Sequence, residues 1–460
     1  MSDRDTQSEA PYQPGREEPP LLAGPRPLGP WLKNRSGALA LRLAPHRHLR
    51  FWLPAVYAAI TGLGQTWDQR LSPLAPDVIF YMNLAKDWTP LSFWGGLREP
   101  LWPALLAIPV HLFGPSSLIP RVLGVLGFVL LTIAMQLLVR RLFGVGWAFL
   151  VGFLCAASPW LIFQSAFGLR EETSAALVAL FALGMVGSPW TGRRAVALWA
   201  LAGISGMLRW DTVIIMVPTL LVAYIAYRPQ WWSWVAGPLA FGLIVLPLLA
   251  GNYQQTGDPF FHSNIHARFF RNIEFKGQPG FPTVAEVEQN GFAGPPITWT
   301  QYLLGLHTPK QLVVRSIHGF EDIILVNGTL VFTYPDSPHP PGGWPTLRIF
   351  ANNQFTIAWG MLILGIIGAL SLLGSRAWPI ALMLPLSMAV YSLIASLIDY
   401  RLVLPVLALT LVADLEGLAV LLPRPFWAIE RCTARLFGPR PQSGRAVAAP
   451  DSTSRSPVID

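Results

Sequence analysis

Apolar runs that recur along the chain, each close to the length a helix needs to cross a bilayer, constrain the fold more than any other feature. They lie near 50–67, 118–139, 146–164, 172–188, 194–209, 212–227, 232–250, 354–374, 377–398 and 402–422. About 20 apolar residues span the hydrocarbon layer as an α-helix. The runs contain Gly, Pro, Ser and Thr, which membrane helices tolerate because their backbone bonds are satisfied within the segment or by neighbours. With 52% hydrophobic and only 13% charged residues among 460, a soluble core could not hide this much apolar side chain. The expected class is an all-α polytopic membrane protein with about ten transmembrane helices.

Charge assigns the two faces. Ten crossings put both tails on one side, and both are basic beside the membrane: Lys33, Arg35, Arg42, Arg47 and Arg50 at one end, Arg424, Arg431, Arg435 and Arg440 at the other. Alternate short loops carry Arg140, Arg141, Arg193, Arg194, Arg228 and Arg376 without a neighbouring acid. Positive charge retained on the cytoplasmic side predicts this pattern, so both termini are expected to be cytoplasmic. The net charge of +8 is thereby accounted for without nucleic acid, since no basic stripe interleaved with aromatics lies outside the tails.

Residues 1–48 read as a polar, Pro-rich and then basic tail, 49–425 as the membrane domain, and 426–460 as a second, mostly disordered cytoplasmic tail. The N-terminus lacks the pattern of a cleavable signal peptide. Cys155 and Cys432 offer neither a disulfide framework nor metal spacing. The preponderance of Arg over four lysines fits a GC-rich bacterial genome, and hence a bacterial inner membrane.

The acids collect in the opposite loops, two of which are long: 68–117 and 252–352. In the first, PDVIFYMNLAKDW (76–88) and REPLWPALLAIPVHLFG (98–114) read as interfacial helices. In the second, TPKQLVVRSIHGFEDIILV (308–326) is too charged to span and reads as another. Four outer loops each place an acid, an arginine or both at helix ends, an arrangement suited to one shared site.

Asp77 follows Pro76 at the start of the first interfacial helix. It is either a cap for that helix or a general base that takes a proton from an acceptor hydroxyl. Arg98 precedes Glu99 and Pro100; Pro suits a first helical turn and Glu the helix dipole, whereas Arg98 at the interface suits a phosphate, which its planar fork binds through paired charge-assisted bonds. Arg209 ends one run, with Asp211 starting the next, and Arg401 opens the last beside Asp399; each is a phosphate ligand or a local ion pair.

In this order, the segments resemble the multi-spanning glycosyltransferases of the GT-C fold, in particular the bacterial branch of protein mannosyltransferases and the lipid A aminoarabinose transferase. The resemblance covers roughly residues 50–425. It rests on PLAPDVIFYMNLAKDW (73–88) followed by 98–114, IPRVLGVLGFVLLTIAMQLLVRRLFG (119–144), FGLREETSAALVALFAL (167–183), GISGMLRWDTVIIMVPTLL (203–221), NYQQTGDPFFHSN (252–264) and DYRLVLPVLAL (399–409). No one of these motifs is specific; their order is the signal.

The resemblance implies transfer of a sugar from a polyprenyl-phosphate carrier to a glycan, lipid or protein hydroxyl at the extracytoplasmic face of the cell envelope. It implies Asp77 as the catalytic acid of the first loop, Glu171 or Glu172 as the second acid, and Arg98, Arg209 and Arg401 as ligands of the departing phosphate. Many relatives carry an acid pair where this chain has Asp77-Val78. That leaves a divalent cation, Mg or Mn, with Asp77 as its one candidate ligand. In the aminoarabinose branch a Lys precedes the Pro where Glu99 stands here, which leaves Arg98 as the substitute. Two other readings remain at this stage: a transporter or flippase of a lipid-linked substrate, and a GT-C-like scaffold without activity.

Overall fold

The computed structural model describes residues 50–95, 98–186, 190–261, 298–330, 354–394 and 404–437, and these are helical apart from turns and connections. In chain order the helices are α1 (Leu53–Asp68), α2 (Pro76–Lys86), α3 (Leu101–Phe113), α4 (Leu118–Phe143), α5 (Val145–Ala156), α6 (Pro159–Ser165), α7 (Glu171–Met185), α8 (Gly192–Leu208), α9 (Asp211–Tyr227) and α10 (Ser233–Thr256). There follow α11 (Pro309–Leu330), α12 (Gln354–Leu373), α13 (Trp378–Ile394), α14 (Leu404–Leu421) and α15 (Pro423–Phe437).

The described part of each of the ten apolar runs is mainly helical. Among the described residues, α4, α10 and α14 are long and apolar enough to cross a membrane singly. The run expected at 146–164 is not one helix: α5 and α6 meet at 59° and together would make a fourth span. Pro159 causes the break, because it lacks an N–H and pushes Ser158 into an extended conformation (ψ 117°). Ser158 Oγ then accepts from Leu161 N at 3.4 Å and caps α6. Several other runs are shorter; the 17 residues of α9, for example, rise about 26 Å against a hydrocarbon core of about 30 Å.

Small residues let the helices approach. At the α12–α14 crossing, a Cβ on Gly368 would run into the carbonyl of Ala413, and one on Gly417 into the carbonyl of Leu364. Where α6 turns into α7, Gly168 adopts φ 78°, and a side chain there would also strike the backbone of Pro120. The buried Arg121 of α4 secures the same turn. Its Nη1 donates to Ala166 O at 2.9 Å and Gln69 Oε1 at 3.0 Å, and its Nη2 to Ser72 O at 2.9 Å. One side chain thus satisfies the Ala166 carbonyl at the end of α6 and ties it to the turn that follows α1.

The first part of the C-terminal tail, residues 426–437, lies within α15, which packs on α5. Glu430 accepts from Gly146 N at 3.1 Å and Trp147 N at 2.7 Å, so a carboxylate caps the start of α5. Phe426 stacks on Trp147 with ring centroids 4.4 Å apart. Residues 1–49 and 438–460 of the two tails lie outside the described residues.

Candidate functional site

The acid-bearing helix ends converge. Helices α2 and α3 share an apolar core in which Val78, Tyr81 and Met82 meet Trp102, Leu106 and Val110, and Leu169 and Leu208 complete it. Those two leucines bring the start of α7 and the end of α8 to the loop between α2 and α3. The juxtaposition follows from burying one apolar cluster, and it delivers Glu99, Arg170 and Arg209 to one region.

Arg170 Nη1 donates to Glu99 Oε2 at 2.9 Å and to the carbonyl of Leu208 at 2.7 Å. Glu99 Oε1 accepts from Trp210 N at 3.3 Å. Both ion-pair partners are buried. Helix α3 begins at Leu101 with Pro100 as its cap residue, so the expected dipole role of Glu99 gives way to a buried bridge joining three helix ends. Burial works against the Arg170 charge, but the neighbouring Glu99, then Tyr81 and Glu171, hold its pKa above the usual arginine value.

Arg209 is held by Asp211 through two bonds, Nε to Oδ1 at 3.1 Å and Nη2 to Oδ2. Its guanidinium also lies 5.9 Å from the ring centroid of Tyr391 on α13. The local-pair reading therefore describes Arg209 in this structure. Arg401 and Asp399 lie outside the described residues.

Tyr81 lies between two arginines. The Arg170 guanidinium is 5.4 Å from its ring centroid, and Arg98 Nη1 donates to its hydroxyl at 3.3 Å. Arg98 also sits 5.0 Å from the centroid of Phe80. Burial raises the Tyr81 pKa, outweighing the opposing pull of Arg170 and Arg98, so the phenol stays protonated. Since its oxygen accepts from Arg98, its own proton is directed elsewhere. Among the described residues, Arg98 has no carboxylate partner, which sets it apart from Arg170 and Arg209.

Asp77 stands in the first turn of α2, half-buried, while Ala75 occupies the cap position. It is one turn before Tyr81 and shares its helix face. Glu171 and Glu172 open α7, where the helix dipole favours a carboxylate. Successive helical positions point in different directions, and Glu171 is the one whose charge acts on Tyr81, Arg170 and Arg209. Glu171 Oε2 is buried with no hydrogen-bond partner among the described residues. No group of three or more His, Cys, Asp or Glu side chains among the described residues could hold a metal ion, so the described donors alone do not fit the divalent cation that the resemblance left open.

Tyr81, Arg170 and Tyr391 were not candidates in the sequence reading. A local signal existed only for Arg170, which adjoins Glu171.

Comparison with known proteins finds no matching family model and no matching curated protein. Among solved structures, the chain is similar to ArnT from Cupriavidus metallidurans bound to undecaprenyl phosphate, at 16% identity and a TM-score of 0.37, covering 80% of this chain and 79% of that one. ArnT from the same organism in the apo state gives 15% identity and a TM-score of 0.31, covering 83% of this chain and 78% of that one.

Proposed function

We propose that the chain is a membrane glycosyltransferase of the GT-C type, moving a sugar from a polyprenyl-phosphate carrier to a hydroxyl of a glycan, lipid or protein on the extracytoplasmic face. The observation that carries this reading is the arrangement at the acid-bearing end. Two buried arginines are neutralised by Glu99 and Asp211, while Arg98, without a carboxylate partner among the described residues, stands beside Tyr81 one turn from Asp77. An interfacial arginine of this kind suits the phosphate of a lipid carrier, which sits at the same depth.

In this reading Asp77 accepts the proton of the acceptor hydroxyl as the new glycosidic bond forms and the bond between the sugar and the phosphate oxygen breaks. The carrier leaves as polyprenyl phosphate. Arg98 stabilises the negative charge that grows on that group, and Arg401 is assigned the same role by the resemblance. Arg209, already neutralised by Asp211, helps hold the start of α9 at the site rather than binding the phosphate. Glu171 is the second acid, with Glu172 beside it in the same turn.

Turnover of a polyprenyl-phosphate sugar by the purified chain in detergent tests the proposal. Micelles have no two compartments, so a flippase would leave the donor intact. Sugar release or transfer supports a transferase; an intact donor with every class of acceptor contradicts it.

A further inference from the structure

A cavity of about 1360 Å³ lies among α11, α12, α13 and α14. Its walls are apolar, with Val313 and Phe320 from α11, Ile366 and Leu370 from α12, and Leu384 and Met388 from α13. It follows α13 from Ala381 to Leu393, about 18 Å at the helical rise. Ile366 and Leu370, both in its wall, are half or more exposed.

Two carboxylates border this lining: Glu321 of α11, which is exposed and lies 3.4 Å from His318 Nδ1, and Asp414 of α14, which is buried. Asp414 of α14 borders the cavity, is only 8% exposed, and lies about 15 Å along its helix from Leu404. No hydrogen bond or ion pair to it exists among the described residues, whereas Glu416, two positions on, accepts from Ser371 Oγ at 2.7 Å. Room for the carboxylate comes from Gly365 across the helix interface, where a Cβ would stand 3.0 Å from Asp414 Oδ1. A buried acid in an apolar wall either takes up a proton or pairs with an opposite charge, and a hydrocarbon occupant supplies neither a charge nor a hydrogen-bonding partner. An occupant that is hydrocarbon throughout, such as a prenyl chain, would leave Asp414 unsatisfied.

We propose that this cavity is a second binding site, for a single-chain amphiphile bearing a primary ammonium group, with the chain along α12 and α13 and the nitrogen at Asp414. An ammonium supplies both the charge and the donors that the carboxylate lacks, and low-dielectric walls strengthen the pair. The cavity shares α13 with the candidate functional site, through Tyr391 beside Arg209, but its carboxylate and its test do not depend on the transferase reading.

A diazirine-bearing long-chain alkylamine, added to the full chain in nanodiscs of zwitterionic lipid, tests it. The expected result is saturable crosslinking to α12 and α13, with dodecylamine competing at least about tenfold better than dodecanol, a difference of about 1.4 kcal/mol. Asp414→Asn should abolish the preference for the amine. Ala369→Trp, which narrows the cavity and leaves Asp414 in place, should block labelling. Labelling that does not saturate, equal competition by the alcohol, an unchanged preference in Asp414→Asn, or unchanged labelling in Ala369→Trp would each overturn the proposal.

Discussion

Glu99 and Arg170, 71 residues apart in sequence, form a buried ion pair at 2.9 Å that ties the loop before α3 to the start of α7. The same arginine donates to Leu208 O at the end of α8. Removing one partner leaves the other charged and buried, which costs about 3–5 kcal/mol, whereas replacing both with apolar residues of similar size costs far less. Glu99→Leu and Arg170→Met should therefore each lower the melting temperature in detergent more than the double variant does. A double variant as unstable as the sum of the two would mean that the pair is not coupled.

Arg98 is expected to act on the carrier rather than on the fold. Among the described residues it contacts one phenol oxygen and two aromatic faces, and it is half-buried. A bond to a charged group is worth about 1.5–3 kcal/mol, so Arg98→Ala should weaken undecaprenyl phosphate binding about tenfold or more, with little change in thermal stability. Native mass spectrometry reads the first quantity and a thermal melt the second. Binding that is unchanged removes Arg98 from the site.

Tyr81 gives a pH test. Burial raises its pKa in the folded chain above the ordinary value of 10.0, so its contribution to stability is fully present below pH 10 and is lost as pH rises through the folded value. Wild type should lose melting temperature more steeply than Tyr81→Phe above pH 10, and the two curves should run parallel at pH 7–9. Parallel curves throughout would mean that Tyr81 is not buried as described.

Cys432 reports which side α15 occupies. It is exposed, while Cys155, the other cysteine, is buried. With a cytoplasmic C-terminus, a membrane-impermeant maleimide should leave Cys432 unmodified in intact spheroplasts and label it after permeabilisation. Labelling from outside would invert the topology and carry the proposed face of the active site with it.

How much of this was legible in the sequence follows from how local each signal is. The described parts of all ten apolar runs are mainly helical because hydropathy is a property of consecutive residues, and Pro76 marks the start of α2 for the same reason. The break in the third run also had a local cause, Ser158-Pro159, which its high hydropathy masked. Glu99 was different. Beside Pro100 it had a sufficient local explanation as a helix-dipole residue, and nothing within its own segment pointed to Arg170 or to the amide of Trp210. Likewise, the charge of α15 suggested a solvated tail, whereas Glu430 finds its partners in Gly146 and Trp147, more than 280 residues earlier. Contacts of that reach are set by which helix ends the bundle brings together.

The central claim is sugar transfer with Asp77 as the base, and transfer by the reconstituted protein from a polyprenyl-phosphate sugar tests it most directly. A positioned general base contributes about 10²–10⁴-fold to rate. Asp77→Asn should lower transfer by about that factor, with undecaprenyl phosphate binding and melting temperature close to wild type. Undiminished transfer by Asp77→Asn would contradict the account.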